Sequence, residues 1–146
     1  MIKKVHHAVI TVSDMEEALH FYRDILGCKV TMDFEISGGE WGEAFGVKEF
    51  RARLVYLDEG IELAYYYQPG NGRPLKANPW DPGYHFLVLE VKDLEEIYSR
   101  LTSKGVEFFL PPHTPEGEVP SVGKTKVAHL KGPDGVRISM VQLPGE

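Results

Sequence analysis

The sequence predicts an α+β fold built from two tandem βαβββ modules, and three observations carry that expectation. An apolar, β-branched run, Val5 to Val12, leads straight into a helical pattern. Tyr84 to Val91 has the same length and character and also leads into a helix. The two junctions align, with Val12-Ser13-Asp14-Met15-Glu16-Glu17 lying against Val91-Lys92-Asp93-Leu94-Glu95-Glu96 at an offset of 79 residues. A strand–cap–helix junction alone would be generic, but the whole order of elements repeats, which makes duplication the better reading.

The first strand covers Val5 to Val12. Ser13 and Asp14 can each cap a helix, and Glu16 and Glu17 fall in its first turn, where the dipole favours anions. Ala18, Phe21, Tyr22, Ile25 and Leu26 recur at helical spacing until Gly27 stops the helix. Cys28 to Ile36 reads as the second strand. The glycine-rich stretch from Ser37 to Gly46 reads as a surface loop with room for one helical turn, a mobile lid being the alternative. Phe50 to Leu57 and Ile61 to Gln68 form a hairpin around Asp58-Glu59-Gly60. Residues 1–68 are then the first module, and residues 69–83, rich in Pro, Gly and Asn, are the linker.

In the second module, residues 84–146, the strand ends at Val91 and Lys92-Asp93 begin a helix with Leu94, Ile97, Tyr98 and Leu101 on one face. Gly105 ends it. Val106 to Leu110 is a strand, Pro111 to Gly123 a proline-rich loop, and Lys124–Leu130 with Val136–Leu143 a hairpin. Its turn, Gly132-Pro133-Asp134-Gly135, has Pro second and Gly fourth, as a type I turn prefers.

A length of 146 residues and an apolar fraction of 42% suit one globular domain with a shared core. The net charge of −6, with Lys and Arg scattered, argues against a nucleic-acid partner. An anionic ligand would need a local basic site. Arg51, Arg53, Arg73, Lys76, Lys124 and Lys126 are the candidates, solvated surface charge being their ordinary role. Cys28 is the single cysteine, so there is no disulfide framework, and it reads as a small buried hydrophobe. No apolar run reaches the length of a membrane span, and Met1-Ile2-Lys3-Lys4 leaves no room for a signal peptide. A cytoplasmic protein with no membrane partner is expected.

Taken together, His7-Ala8-Val9-Ile10-Thr11-Val12-Ser13-Asp14, Phe21-Tyr22 before Leu26-Gly27, Ile61-Glu62-Leu63, the Val91-Lys92-Asp93-Leu94 junction and Gly132-Pro133-Asp134-Gly135-Val136-Arg137-Ile138 resemble the vicinal oxygen chelate superfamily. That is the fold of glyoxalase I, methylmalonyl-CoA epimerase, extradiol dioxygenases and bleomycin-resistance proteins. The resemblance implies an open eight-stranded barrel-like sheet around one cavity, with helices outside. It also implies one divalent metal ion (Zn, Fe, Mn, Ni or Co), held by a residue from the first and last strand of each module. A homodimer is the commoner arrangement in the families it resembles.

Carried over residue by residue, the family's first-strand histidine falls on His7 and its fourth-strand acid on Glu62. In the second module the histidine position, five residues before Val91, is Phe86, with His85 one residue early, and the last-strand glutamate position is Ser139. Side chains alternate along a strand, so a slip of one residue changes face. His7, Val9 and Thr11 are therefore expected to face the cavity, and His6, Ala8, Ile10 and Val12 the helix layer. By the repeat, Phe86 and Val88 face the cavity while His85 joins His6 on the far face, reaching a metal only through a bulge near Pro82-Gly83.

The leading reading is a divalent-metal-assisted lyase, isomerase or dioxygenase acting on a small oxygen-rich substrate, with His7 and Glu62 as metal ligands. A buried His–Glu pair in the cavity wall is the plain alternative for those two. His129, four residues before Pro133, is a candidate third ligand or general acid/base, against a histidine that only bonds across the sheet. Tyr66 shares a face with Glu62 and Ala64, with Tyr65 and Tyr67 opposite. Ser139 is a candidate hydrogen-bond donor to the ligand and, without a nearby base, a poor nucleophile. Phe86, Val88, Thr11 and Tyr66 line the expected substrate pocket. His20 and His113 look like helix-surface and loop residues. The alternative function is a metal-free drug- or metabolite-binding protein of the bleomycin-resistance type, with Phe86, Tyr66, Trp41 and Phe34 around an apolar pocket. A third is an inactive relative acting through a dimer interface.

Overall fold

The computed structural model describes residues 1–145, and it repeats one order of elements in each half of the chain. Strand β1 (Ala8–Thr11) runs into helix α1 (Met15–Leu19), which continues as a π-helical segment, His20–Ile25. Strand β2 (Val30–Ser37), helix α2 (Gly39–Phe45), β3 (Arg51–Leu57) and β4 (Ile61–Gln68) follow. The second half has β5 (Phe86–Glu90), helix α3 (Leu94–Ser103), β6 (Phe108–His113), β7 (Lys126–Lys131) and β8 (Arg137–Gln142). The chain divides into two compact units, Met1–Leu75 and from Lys76 onward, a boundary inside the Pro- and Gly-rich stretch.

Both α1 and α3 start where an aspartate can satisfy an orphan amide. Asp14 accepts a hydrogen bond from the Glu17 amide and Asp93 from the Glu96 amide, each at 3.0 Å. Gly27 and Gly105 follow the helices with φ of +86° and +84°, a conformation open to glycine without penalty. The two units therefore use the same start and stop chemistry.

The strands pair as two four-stranded sheets, β1-β4-β3-β2 and β5-β8-β7-β6, and not as the single eight-stranded sheet that the resemblance implied. The cause lies in the pairing: the first strand of each unit runs parallel to the last strand of the same unit, so every ladder stays within one unit. The registers match. Val9 lies beside Glu62, and Val88 lies beside Ser139. Each sheet buries one face against its own helix. In the first unit Val55, Leu57, Ile61 and Leu63 are buried, as are Ala18, Leu19 and Tyr22. In the second, Ala128, Leu130, Ile138 and Met140 are buried with Leu94 and Leu101 of α3. Burying each such large side chain contributes roughly 1.5–3 kcal/mol.

Three expectations change. The stretch from Ser37 to Gly46 contains a helix, α2, not a loop with one turn. Trp41 and Phe45, one helical turn apart, stack on buried Phe50 at ring distances of 6.3 and 5.4 Å. Gly42 packs so close to Val47 that a Cβ would lie 2.5 Å from its carbonyl oxygen. The first strand begins at Ala8, leaving His6 and His7 outside the regular ladder. The turn at Gly132–Gly135 holds Asp134 at φ +60°, where a type I turn would need a negative value. Among the described residues no helix is long and apolar enough to cross a membrane.

Candidate functional site

In the first unit, Ile61 and Leu63 point to the helix, so alternation sends Glu62 and Ala64 to the helix-free face of the sheet. Ile10 and Val12 are buried, and Val9, beside Glu62, and Thr11 lie on that helix-free face with Val9 about half exposed. Glu62 is only 6% exposed. Tyr56 sits directly across from it on β3, a placement from which its hydroxyl can donate to the Glu62 carboxylate. That bond, then burial, holds the Tyr56 phenol above its ordinary range, so it stays a donor. The Tyr56 ring meets the His7 ring edge-on at 5.1 Å, and Phe34 stacks on Tyr56 at 6.0 Å.

His7 Nε2 lies 4.0 Å from Glu62 Oε2. His7 Nδ1 is 2.6 Å from His6 Nδ1, so one ring donates to the other. His6 thus stands beside His7, not on the far face as alternation suggested, because both precede the first paired residue of β1. When His7 Nδ1 is the donor, its Nε2 keeps a lone pair on the side facing Glu62.

An imidazole nitrogen and a carboxylate suit a borderline divalent ion. Among the described residues no group of three His, Cys, Asp or Glu converges to hold one. In the first unit the groups of that chemistry that approach each other are two, His7 and Glu62. Tyr66 shares their face at the far end of β4, where Phe45 and Phe50 pack on it at 6.3 and 5.8 Å. Tyr65 and Tyr67 pack on each other at 5.1 Å, with Arg51 over the Tyr67 ring.

In the second unit Ser139, 6% exposed, is paired with Val88 on one side and His129 on the other. His129 Nδ1 and Ser139 Oγ are 2.7 Å apart. Ser139 does have a nearby base: the hairpin was expected from sequence, but not the register that sets His129 directly opposite Ser139. Phe109 stacks on His129 at 5.7 Å and Phe86 meets it at 5.9 Å. Burial, and then the neighbouring His113, push the His129 imidazole below its usual 6.5. It is therefore mostly neutral near pH 7 and able to accept a proton.

The two units place related groups at matching nodes. Tyr56 faces Glu62 across β3–β4 as His129 faces Ser139 across β7–β8. Phe34 covers Tyr56 as Phe109 covers His129. His7 meets Tyr56 as Phe86 meets His129. Tyr56 and Phe109 were not singled out from sequence, yet the repeat that maps Glu62 onto Ser139 also maps Tyr56 onto His129.

His85 is engaged inside the second unit, at the Asp81 carbonyl and Arg137. Arg53 is held by Asp33 and Glu16, and Lys126 by Glu95, so neither is a free anion holder. The Cys28 thiol is buried and pushed up to about 12, which makes it inert.

A family model described as the Glyoxalase/Bleomycin resistance protein/Dioxygenase superfamily matches residues 4–140. The chain is 28% identical over 148 aligned positions to a 2-epi-5-epi-valiolone epimerase from Actinomyces sp., covering 96% of this chain and 79% of that protein. It is 27% identical over 137 positions to a probable lactoylglutathione lyase from Synechocystis sp., covering 93% and 92%. Among solved structures, a glyoxalase family protein from Bacillus cereus superposes with a TM-score of 0.78 at 19% identity, covering 99% and 97%. A glyoxalase/dioxygenase from Nostoc punctiforme gives 0.65 at 20% identity, covering 97% and 92%. At these identities the structural likeness speaks to the fold alone.

Proposed function

This chain belongs to the Glyoxalase/Bleomycin resistance protein/Dioxygenase superfamily, and from that premise we propose that it is a divalent-metal-assisted enzyme that relocates a proton on a small oxygen-rich substrate, as an isomerase or lyase. The observation that supports this most is the approach of His7 Nε2 to Glu62 Oε2, 4.0 Å apart beside the Tyr56 hydroxyl. Two relatives are named an epimerase and a lactoylglutathione lyase. Inverting a carbon centre means removing and returning its proton, which favours isomerase or lyase chemistry over dioxygenation.

His7 and Glu62 would hold the ion, which when bound supplies Lewis-acid polarisation of substrate oxygens. Tyr56 fixes the Glu62 carboxylate by donating to it and, with Phe34, walls the His7 side with apolar rings. Thr11 offers a hydroxyl and Val9 an apolar surface on the same sheet face as Glu62. In the second unit, taken by itself, Ser139 fixes the His129 ring at Nδ1, with Phe86, Phe109 and Val88 around them, so that this pair offers a proton-accepting group of its own. A cytoplasmic homodimer completes the reading, and a monomer mass by light scattering would remove the second half of that description.

The test is metal content and metal response. The purified protein should contain stoichiometric metal, and Co²⁺ or Mn²⁺ added to stripped protein should raise its melting temperature. His7→Ala and Glu62→Ala should abolish that rise, whereas His85→Ala should keep it. Absence of bound metal together with no response to Mn, Fe, Co, Ni or Zn sinks the metalloenzyme reading. The second reading is a metal-free binding protein. It is favoured by one observation, that Phe86 and Ser139 occupy the register positions equivalent to His7 and Glu62. It requires saturable binding of an apolar small molecule by stripped protein.

A further inference from the structure

In a chain of net charge −6, any surface that holds an anion must be built locally. We propose that Arg137, with Lys131 opposite it, forms an anion-binding subsite in the second unit that takes the carboxylate or phosphate of a small molecule.

Arg137 opens β8 two residues before Ser139, and Ile138 and Met140 between and beyond are buried toward the helix. Arg137 therefore shares the helix-free face with Ser139. Its partner on β7 is Lys131 and its partner on β5 is Phe86. Two cations placed directly opposite across an antiparallel pair repel each other, an arrangement that bound anion charge would relieve.

The guanidinium is held in place by neutral groups. Arg137 Nη2 donates to the Ala77 carbonyl at 2.6 Å, and Nη1 donates to His85 Nδ1 at 3.3 Å. A guanidinium can only donate, so His85 Nδ1 must accept. His85 Nε2 then carries the hydrogen and donates to the Asp81 carbonyl. The Phe86 ring lies under the guanidinium at 6.0 Å. None of these partners cancels the charge. Among the described residues, no ion pair within 4.0 Å includes Arg137 or Lys131, whereas Arg23, Arg51, Arg53 and Lys126 each face a carboxylate.

A guanidinium has five N–H groups, and two are spent on the cradle. The remaining fork is preorganised, so a bidentate oxyanion costs little ordering. Residues two apart on a strand are separated by roughly 7 Å. An anion on Arg137 thus stands one short molecule's length from the Ser139–His129 pair. The ligand class is a small acid or phosphate ester with a second polar group a few bonds from its charge. The subsite involves no metal donor, so it is tested on stripped protein, and its failure is separate from failure of the metal reading.

The full chain, freed of metal, is titrated with inorganic phosphate and with lactate at constant ionic strength, chloride serving as the control. Binding is followed by calorimetry and by NMR of the Arg137 Nε–H and the His85 and His129 rings. One of the two anions should bind saturably at one per chain and shift those three signals, and the tighter of the two identifies the headgroup. Arg137→Gln should weaken binding about tenfold or more, with Lys131→Gln weaker in effect and Lys76→Gln without effect. Equal affinity in Arg137→Gln overturns the proposal, and so does the lack of saturable binding of either anion above the chloride control. Should Arg137→Gln fail to fold, the wild-type shift map decides: perturbation centred away from Arg137 overturns it.

Discussion

Replacing Tyr56 with phenylalanine removes one oxygen and leaves the ring that His7 and Phe34 pack against at 5.1 and 6.0 Å. The loss is then that of a single bond, from a phenol to a carboxylate that is 6% exposed. Hydrogen bonds to charged groups contribute about 1.5–3 kcal/mol, and the half-buried donor places this one near 2 kcal/mol, or roughly thirtyfold in the folding constant. Urea unfolding of metal-free Tyr56→Phe, Glu62→Met and the double variant gives the coupling directly. Tyr56→Phe should cost about 2 kcal/mol in the native background and under about 0.5 kcal/mol beside Glu62→Met. Equal costs in the two backgrounds would refute the bond and with it the claim that Tyr56 fixes Glu62.

Two further outcomes are expected. The His129 imidazole, followed by NMR, should titrate below 6.5, and Phe109→Ala should move it upward by letting water reach the ring. Because the unfolded histidine takes up its proton first, stability is full above about 6.5 and falls as pH drops through the folded value; His129→Gln should flatten that limb, and an unaltered limb counts against it. In α2, Gly42→Ala drives a Cβ to 2.5 Å from the Val47 carbonyl oxygen and should cost roughly 1–3 kcal/mol, while Gly39→Ala meets open space; equal melting temperatures for the two would show that α2 yields freely.

Capped helices and alternating strands were legible because the forces behind them are local. Asp14 and Asp93 announce their helices, and alternation puts Glu62, Val9 and Ser139 on the helix-free faces. Helix α2 was hidden because Gly38, Gly39, Gly42 and Gly46 look like loop composition, whereas the contact that holds it is Trp41 and Phe45 on Phe50. The orientation of His6 was misjudged because alternation was extended two residues beyond the first ladder bond, from the Ala8 amide to the Gly60 carbonyl. A His129 bond across the sheet was offered without Ser139 as its partner, and the Arg137 cradle was not legible at all. One joins two strands across a hairpin, and the other depends on the carbonyls of Ala77 and Asp81, in a segment without periodicity.

Strand β1 has four residues, lies at the edge of its sheet, and joins β4 in parallel, Ala8 beside Ile61. Closing so long a loop is slower than zipping the β3–β4 hairpin, so β1 is expected to dock late in folding and to be among the first segments to open afterwards. His7 sits just ahead of this strand and Glu62 on the one that receives it. The pair would then be brought together by the docking of β1 onto β4. A cation held by both residues, as proposed above, would tie β1 to β4 and favour the docked state in proportion to its saturation. Hydrogen exchange at the Ala8 and Val12 amides, which bond to the Gly60 and Ala64 carbonyls, should slow when metal is added, while amides of β3 keep their rates. On the proposed reading, occupancy of the His7–Glu62 pair and the lifetime of one short edge strand would become the same measurement.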